Sequence, residues 1–267
     1  IGAHVIPGLD RPTGLAIKTA HVALHDADND GRLDIYLSLL WTDADRQYLL
    51  RAIPQIDWGR ALSPGWKIDL TASASAATGA TYLGGAKVSG DSDVDAHRVW
   101  IRLASARFET RVGLQQLSFG SATIFRPLMW FDRLDARDPL QFTRGVYGAL
   151  ARYVSAGNAS VWAWALYGNE DPRGWDALGT APDTPEFGGR GQAPFLGGEI
   201  AGSYHHRTAD TTPFLPPGSP PASAREDRVG VDGKWDLGVG VWFETSFTHT
   251  ASTALRREWQ PSWTVGA

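Results

Sequence analysis

The sequence predicts an all-β fold, an antiparallel transmembrane β-barrel of 10–12 or more strands that is complete or an incomplete barrel. Three observations predict it. Apolar and polar residues alternate with period two in segments of about ten residues, the signature of a strand with two unlike faces. The 12 Trp and 7 Tyr gather near the ends of those segments. Short turns alternate with long loops, as they do where strands cross a membrane and return.

The expected strands fall at about 14–25, 32–42, 46–57, 65–77, 94–104, 106–118, 143–154, 159–169, 195–207, 227–236, 238–250 and 255–265. Leu33, Ile35, Leu37, Leu39 and Trp41 share one face, with Asp34, Tyr36 and Ser38 on the other. Trp66, Ile68 and Leu70 oppose Lys67, Asp69 and Thr71. Arg98, Trp100 and Arg102 oppose Val99, Ile101 and Leu103. After the short link 104–106, Arg107, Glu109 and Arg111 oppose Phe108, Thr110, Val112 and Leu114. The pattern predicts that this apolar set points outward and the charged set inward. Tyr147 and Tyr153 alternate with Val146, Leu150 and Arg152, and Val241, Phe243 and Phe247 with Trp242, Glu244 and Thr248. The segment 161–167 is apolar on both faces, and 14–25 alternates only loosely. Four segments read as long loops: 79–93, 121–142, 169–194 and 209–227. The last two are rich in Gly and Pro.

Composition narrows the function classes. The chain has 267 residues, 43% of them apolar and 20% charged, which is enough to build a large core. It has no cysteine, which excludes disulfides, thiolate metal sites and cysteine nucleophiles. A net charge of -4 argues against nucleic acid as a partner. The basic residues are 21 Arg and 4 Lys, a bias compatible with a GC-rich genome or with a confined polar space that uses rigid cations. No linker divides the chain, so 1–267 is expected to be one β-barrel domain. It starts without Met and stops within an apparent strand, as a mature or truncated chain would. A soluble sandwich would bury the apolar faces, whereas an outer-membrane barrel turns them to lipid. Aromatic residues at Trp41, Trp58, Trp66, Trp130, Tyr153 and Tyr167 sit where interfacial girdles belong. A mean hydropathy of -0.23 fits a barrel, because half of each strand faces water.

One stretch carries a family resemblance. Arg111-Val-Gly-Leu-Gln-Gln-Leu-Ser-Phe-Gly120 is followed by a loop with Trp130-Phe-Asp and then by Phe142-Thr-Arg-Gly-Val-Tyr-Gly-Ala-Leu150. This resembles the porin-type barrels of Gram-negative bacteria, above all alginate-export and related substrate-specific porins. Those often carry a Gly-x-Gln-x-(Ile/Leu)-x-(Phe/Tyr)-Gly strand end, a Trp-bearing loop and a returning strand with Phe-x-Gly. The resemblance spans about forty residues and implies an outer-membrane pore without naming its solute. The chain is shorter than such porins and ends in Gly266-Ala267, where their last strand ends in an aromatic residue.

Four groups of residues are candidates for chemistry. Arg98, Arg102, Arg107, Arg111, Arg144 and Arg152, with Glu109 among them, form a candidate pore lining. Arginines on a pore wall attract anions and fork onto carboxylates or phosphates, but acids such as Glu109 and Asp95 would equally make this an ordinary solvated face. The loop 121–142 holds Arg126, Asp132, Arg133, Asp135, Arg137 and Asp138 beside five bulky apolar residues. Packed inward it would be a constriction loop, and packed outward it would lie on the rim. Asp26, Asp28, Asp30 and Asp34, with Gly31, match the start of a calcium loop, though Leu37 stands where the bidentate Glu belongs. An acidic hairpin turn explains them as well. His205 and His206 are adjacent in a strand and so point to opposite faces, and no nucleophile motif is present.

The expected function is therefore a non-enzymatic, porin-like channel in the cell outer membrane. It would let small hydrophilic solutes diffuse passively, with the arginines biasing it toward anions, and its partners would be outer-membrane lipid and those solutes. No cofactor is expected beyond a weak case for calcium. The alternatives are a structural or adhesion barrel with a plugged lumen and a soluble β-rich carbohydrate-binding module.

Overall fold

The computed structural model describes residues 18–22, 35–42, 45–122, 125–134, 143–251 and 259–267. Its strands are β1 (Lys18–Val22), β2 (Ile35–Thr42), β3 (Asp45–Ala52), β4 (Gln55–Ser63), β5 (Trp66–Leu83), β6 (Ala86–Ser105), β7 (Phe108–Gln115), β8 (Arg133–Leu134), β9 (Thr143–Arg144), β10 (Val146–Val154), β11 (Ser160–Leu166), β12 (Glu186–Phe195), β13 (Gly198–Asp210), β14 (Ser223–Asp236), β15 (Gly240–Ala251) and β16 (Gln260–Gly266). Among the described residues the only helical element is a 3-10 turn at Thr212–Phe214. Fourteen strands form one antiparallel sheet in the order β1-β2-β3-β5-β6-β7-β10-β11-β12-β13-β14-β15-β16, with β4 also on β5. β8 and β9 pair separately. Among the described residues no pairing joins the two ends of this order, so the sheet is not closed into a barrel.

The chain divides into two compact units, Ile1–Asp57 with Thr71–Arg98 and Trp58–Leu70 with Val99–Ala267. In the first, β2 and β3 form a hairpin with Thr42 opposite Asp45, and β3 pairs with the second half of β5. The Asp57 carboxylate accepts a hydrogen bond from the Thr71 hydroxyl, and the Ala74 amide donates to the Pro54 carbonyl at 3.2 Å. Residues 79–93, expected as a loop, are the ends of β5 and β6 around a tight turn at Gly84-Gly85.

The second unit holds residues 58–70 of β4 and β5, the end of β6 and the strands that follow it. From β6 onward its connections alternate strictly. Those at 106–107, 155–159, 196–197 and 237–239 are short, while 116–145, 167–185 and 211–222 are long. In an antiparallel sheet the short turns therefore gather at one end and the long loops at the other. This regularity depends on β12, which lies inside the expected loop 169–194. Its sequence EFGGRGQAPF has three glycines and a proline in ten residues, so it lacks the β-branched signal of a strand. Packing explains one of these glycines. The Trp164 ring and the Tyr204 carbonyl lie against Gly188, so that a Cβ there would overlap both.

The alternation of the second unit has an inverted sense. Val99, Ile101, Val112, Tyr147, Val161, Phe187 and Val229 are exposed, while Arg190, Arg207, Glu226, Arg228, Asp232 and Glu244 are buried. Leu114, expected on the outward face, is buried. Its register neighbours Val99 and Tyr147 flank it, and its side chain also lies against Gly145, where a Cβ would crowd it. Trp130, expected in a membrane girdle, is buried as well, because its loop turns onto the charged face. A core of Leu117, Phe119, Leu128, Trp130, Phe131, Val146, Leu150, Trp164 and Leu166 forms beneath that loop. Each such side chain contributes about 1.5–3 kcal/mol on full burial.

Replacing Gly188→Ala should destabilise the second unit by about 1–3 kcal/mol through overpacking. The check is a lowered denaturant midpoint at unchanged m-value.

Candidate functional site

The site is the buried, charged face of β12–β15 together with the two segments laid on it. The first segment leaves β7 through the Gly113-Leu-Gln-Gln-Leu-Ser-Phe-Gly120 stretch. Gln115 is almost fully buried and donates to the carbonyls of Arg111 at 3.2 Å and Gly148 at 3.0 Å, which anchors the exit from the strand. Leu117 and Phe119 then turn into the core.

The segment ends up against β14 and β15. Glu244, with no exposed surface, accepts the Leu128 amide at 2.6 Å and the Ala122 amide at 3.0 Å. The Trp130 indole donates to the Ser246 hydroxyl at 3.0 Å and the Ser121 hydroxyl to Asp232 at 3.3 Å. Gly230 gives Leu128 its place, since a Cβ there would overlap the Leu128 side chain and crowd the Trp130 ring. Ion pairs continue from this anchor. Arg190 forks onto Asp232 at 2.5 and 2.9 Å, bonds Ser203 at 3.0 Å and stacks its guanidinium over Phe119 at 5.1 Å.

The second segment is the connection from β11 to β12. Its Arg173 donates to Glu186 at 2.6 and 2.8 Å, and Thr180 donates to the same carboxylate at 3.0 Å. Burial lowers the Arg173 pKa from its ordinary value, with the Glu186 charge opposing. The Trp164 indole can only donate, so His205 Nδ1 accepts it at 3.2 Å and Nε2 donates to Glu186 at 3.0 Å. His205 is thereby engaged at both nitrogens, while His206 faces the other way and meets Asp227 at 2.8 Å. Asp176 pairs with Arg228 at 2.8 Å and Arg207 at 3.2 Å. Glu226 accepts from Arg207 at 2.6 Å and Arg228 at 2.5 Å.

The arginines singled out from sequence separate into groups. Arg102 and Arg111 share Glu109, at 2.9 and 2.8 Å, and Arg102 also reaches Asp69 at 2.9 Å. Arg111 lies over Trp100 at 4.7 Å, and Arg152, paired in register with Glu109, lies over Trp162 at 4.8 Å. These residues form one band on the face that carries the network. Arg107 is exposed in the β6–β7 turn, and Arg144 is exposed on β9. Arg98 is in the first unit and donates to the His97 carbonyl at 2.6 Å. Within the inward segment Arg126 pairs with the buried Asp132 at 2.9 Å, and Arg133 begins β8. Asp135, Arg137 and Asp138, and the calcium candidates Asp26, Asp28, Asp30 and Asp34, lie outside the described residues. Among the described residues no group of three or more His, Asp or Glu side chains is arranged to hold a metal ion.

Sequence reading missed the largest charged group: Arg173, Asp176, Glu186, Arg190, Arg207, Glu226, Arg228, Asp232 and Glu244. A signal existed on β14, where Glu226, Arg228 and Asp232 share parity opposite Val229 and Val231. Comparison of the chain with family models, curated proteins and solved structures gives no match.

Glu244→Ala should release the 117–132 segment, because two buried amides lose their acceptor at about 1–3 kcal/mol each. The expected readout is new protease cleavage within that segment together with a lower thermal midpoint. Glu244→Gln, which keeps one acceptor oxygen, should fall between Ala and the native residue.

Proposed function

We propose that the chain forms all or part of the wall of an outer-membrane β-barrel of porin type, a channel for passive diffusion of small hydrophilic solutes, akin to the alginate-export and related substrate-specific porins it resembles. The inverted polarity of the second unit carries this reading. Strands that bury Arg, Asp and Glu and expose Val, Ile and Tyr suit a sheet with lipid on one side and a polar interior on the other. In water the same surface would be a large apolar patch.

Aromatic placement supports it. Near the short-turn end the exposed rings include Trp66, Tyr153 and Phe195, and near the long-loop end Tyr147, Tyr167, Trp175 and Phe187, with Tyr204 and Phe247 exposed between them. Tyr147 and Tyr153 are six strand residues apart, about 20 Å at 3.3–3.4 Å per residue, close to the height of a lipid-facing band. Strands β10 to β15 run from 7 to 14 residues, around the ~9–11 that a tilted crossing takes. On this reading the 117–132 segment is a constriction loop. A structural or adhesion barrel is the second reading, favoured by one observation: the segment is packed over an apolar core and tied down by Glu244, as a plug would be.

Purified protein in a planar bilayer should give discrete conductance steps; a silent bilayer with correctly inserted protein favours the plugged barrel. Recovery in the aqueous fraction without detergent overturns both readings.

Two variants test the parts. Val229→Arg, in the middle of β14 on the exposed face, should cost about 2–4 kcal/mol in lipid vesicles, against about 0.5 kcal/mol or less on a surface that faces water. Urea unfolding in vesicles distinguishes them. Arg102→Gln with Arg111→Gln removes both ion pairs of Glu109 and leaves Asp69 with Lys67 alone, so the reversal potential in a salt gradient should move toward cation preference. An unmoved potential would put this band outside the conduction path.

A further inference from the structure

A cavity of about 420 Å³ lies in the second unit among the β11–β12 connection, the 3-10 turn after β13, and strands β13 to β16. Its size is within the about 300–1,000 Å³ usual for small-molecule pockets. We infer that this cavity binds a neutral sugar of one or two rings, stacked on Trp175 and Phe214.

Two exposed aromatic rings line it, Trp175 at 65% and Phe214 at 57% of their surface. The Trp175 ring and the Phe214 backbone are both held. The Trp175 indole donates to the Arg126 carbonyl at 3.0 Å. Phe214 ends the 3-10 turn, where its amide donates to the Thr211 carbonyl at 3.1 Å and the Thr212 amide is capped by Asp210 at 2.9 Å. A ring fixed in place while its face stays open forgoes the free energy of its own burial. It also gives the C–H face of a sugar a surface to rest on at little ordering cost.

The charges of the cavity do not favour an ionic ligand. Arg207, Asp176 and Glu226 line it, and Arg228 pairs with both carboxylates. Two cations and two anions cancel, so the floor offers no net field to an anion or a cation. Thr248 and Gln260, also lining residues, supply hydroxyl and amide groups of the kind that exchange hydrogen bonds with sugar hydroxyls. An apolar ligand would strand these groups, whereas a polyhydroxylated one with an apolar face meets both rings and polar groups.

This inference goes beyond the channel reading and does not rest on conduction. The test is isothermal titration calorimetry of the purified chain, in whichever of detergent or buffer the extraction experiment prescribes. The probes are glucose, galactose, mannose and maltose, with glucuronate as the charged control. At least one neutral sugar should bind saturably, with glucuronate at least about tenfold weaker, near 1.4 kcal/mol. Trp175→Ala with Phe214→Ala should weaken that sugar by at least about tenfold. Both side chains are exposed on connections, and a retained β circular-dichroism spectrum checks the fold. Should the double variant not fold, each single variant should still weaken binding at least about threefold. Saturable binding by none of the four sugars, undiminished binding by the variants, or tighter binding of glucuronate overturns the inference. A silent bilayer with intact sugar binding would sink only the channel, and the converse only this site.

Discussion

An ionised side chain taken out of water must meet an opposite charge or a set of hydrogen-bond donors, and the second unit is organised around that constraint. One face of its sheet carries Arg190, Arg207, Arg228, Glu186, Glu226, Asp232 and Glu244 in succession on β12 to β15. Much of the pairing runs across strands of the sheet: Arg207 to Glu226 on the next strand, and Arg190 past β13 to Asp232 on β14. The remainder comes from outside the sheet, where Asp176 and Arg173 descend from one connection and the Leu128 and Ala122 amides from another. The long connections are thus pulled onto the face by its charge. Breaking one partner leaves the other buried and unpaired, so these contacts hold the segments firmly even where the pair itself contributes little net stability.

The same constraint explains why the apolar core sits where it does. Leu117, Phe119, Leu128 and Trp130 cannot pack on a face of bare charges, but they can pack on one whose charges are already paired. Phe119 lies over the Arg190 guanidinium while Asp232 holds that group along its edge. Trp130 and Phe131 meet His205, whose two nitrogens are taken up by Trp164 and Glu186. The result is a mixed layer of aromatic rings and paired ions between sheet and segment. The opposite face of the sheet remains apolar and open.

Much of this was legible in the residues. Period two located β5, β6, β7, β10, β11, β13, β14 and β15 to within a few residues at most ends, because side-chain direction in a strand depends only on parity. It also separated the charged from the apolar set around Glu109, and it foretold that His205 and His206 would part. What stayed hidden has two physical causes. β12 reads as a loop because it is rich in glycine, and Gly188 answers to the Trp164 ring, a neighbour from another strand, rather than to strand propensity. Parity likewise shows that Arg102 and Arg111 share a face with Glu109 without showing that Asp69, 33 residues before Arg102, completes the group.

The amino-acid sequence by itself therefore determined the fold class, the two-faced character of the strands and the bulky apolar content of the 121–142 stretch. Tertiary structure alone decided which way that stretch turns and what each charge meets. Glu244 and Leu128 are 116 residues apart, and Arg190 and Asp232 are 42 apart. Local pattern encodes direction relative to a strand. The identity of a partner depends on register summed over every strand between, which no short stretch of sequence contains.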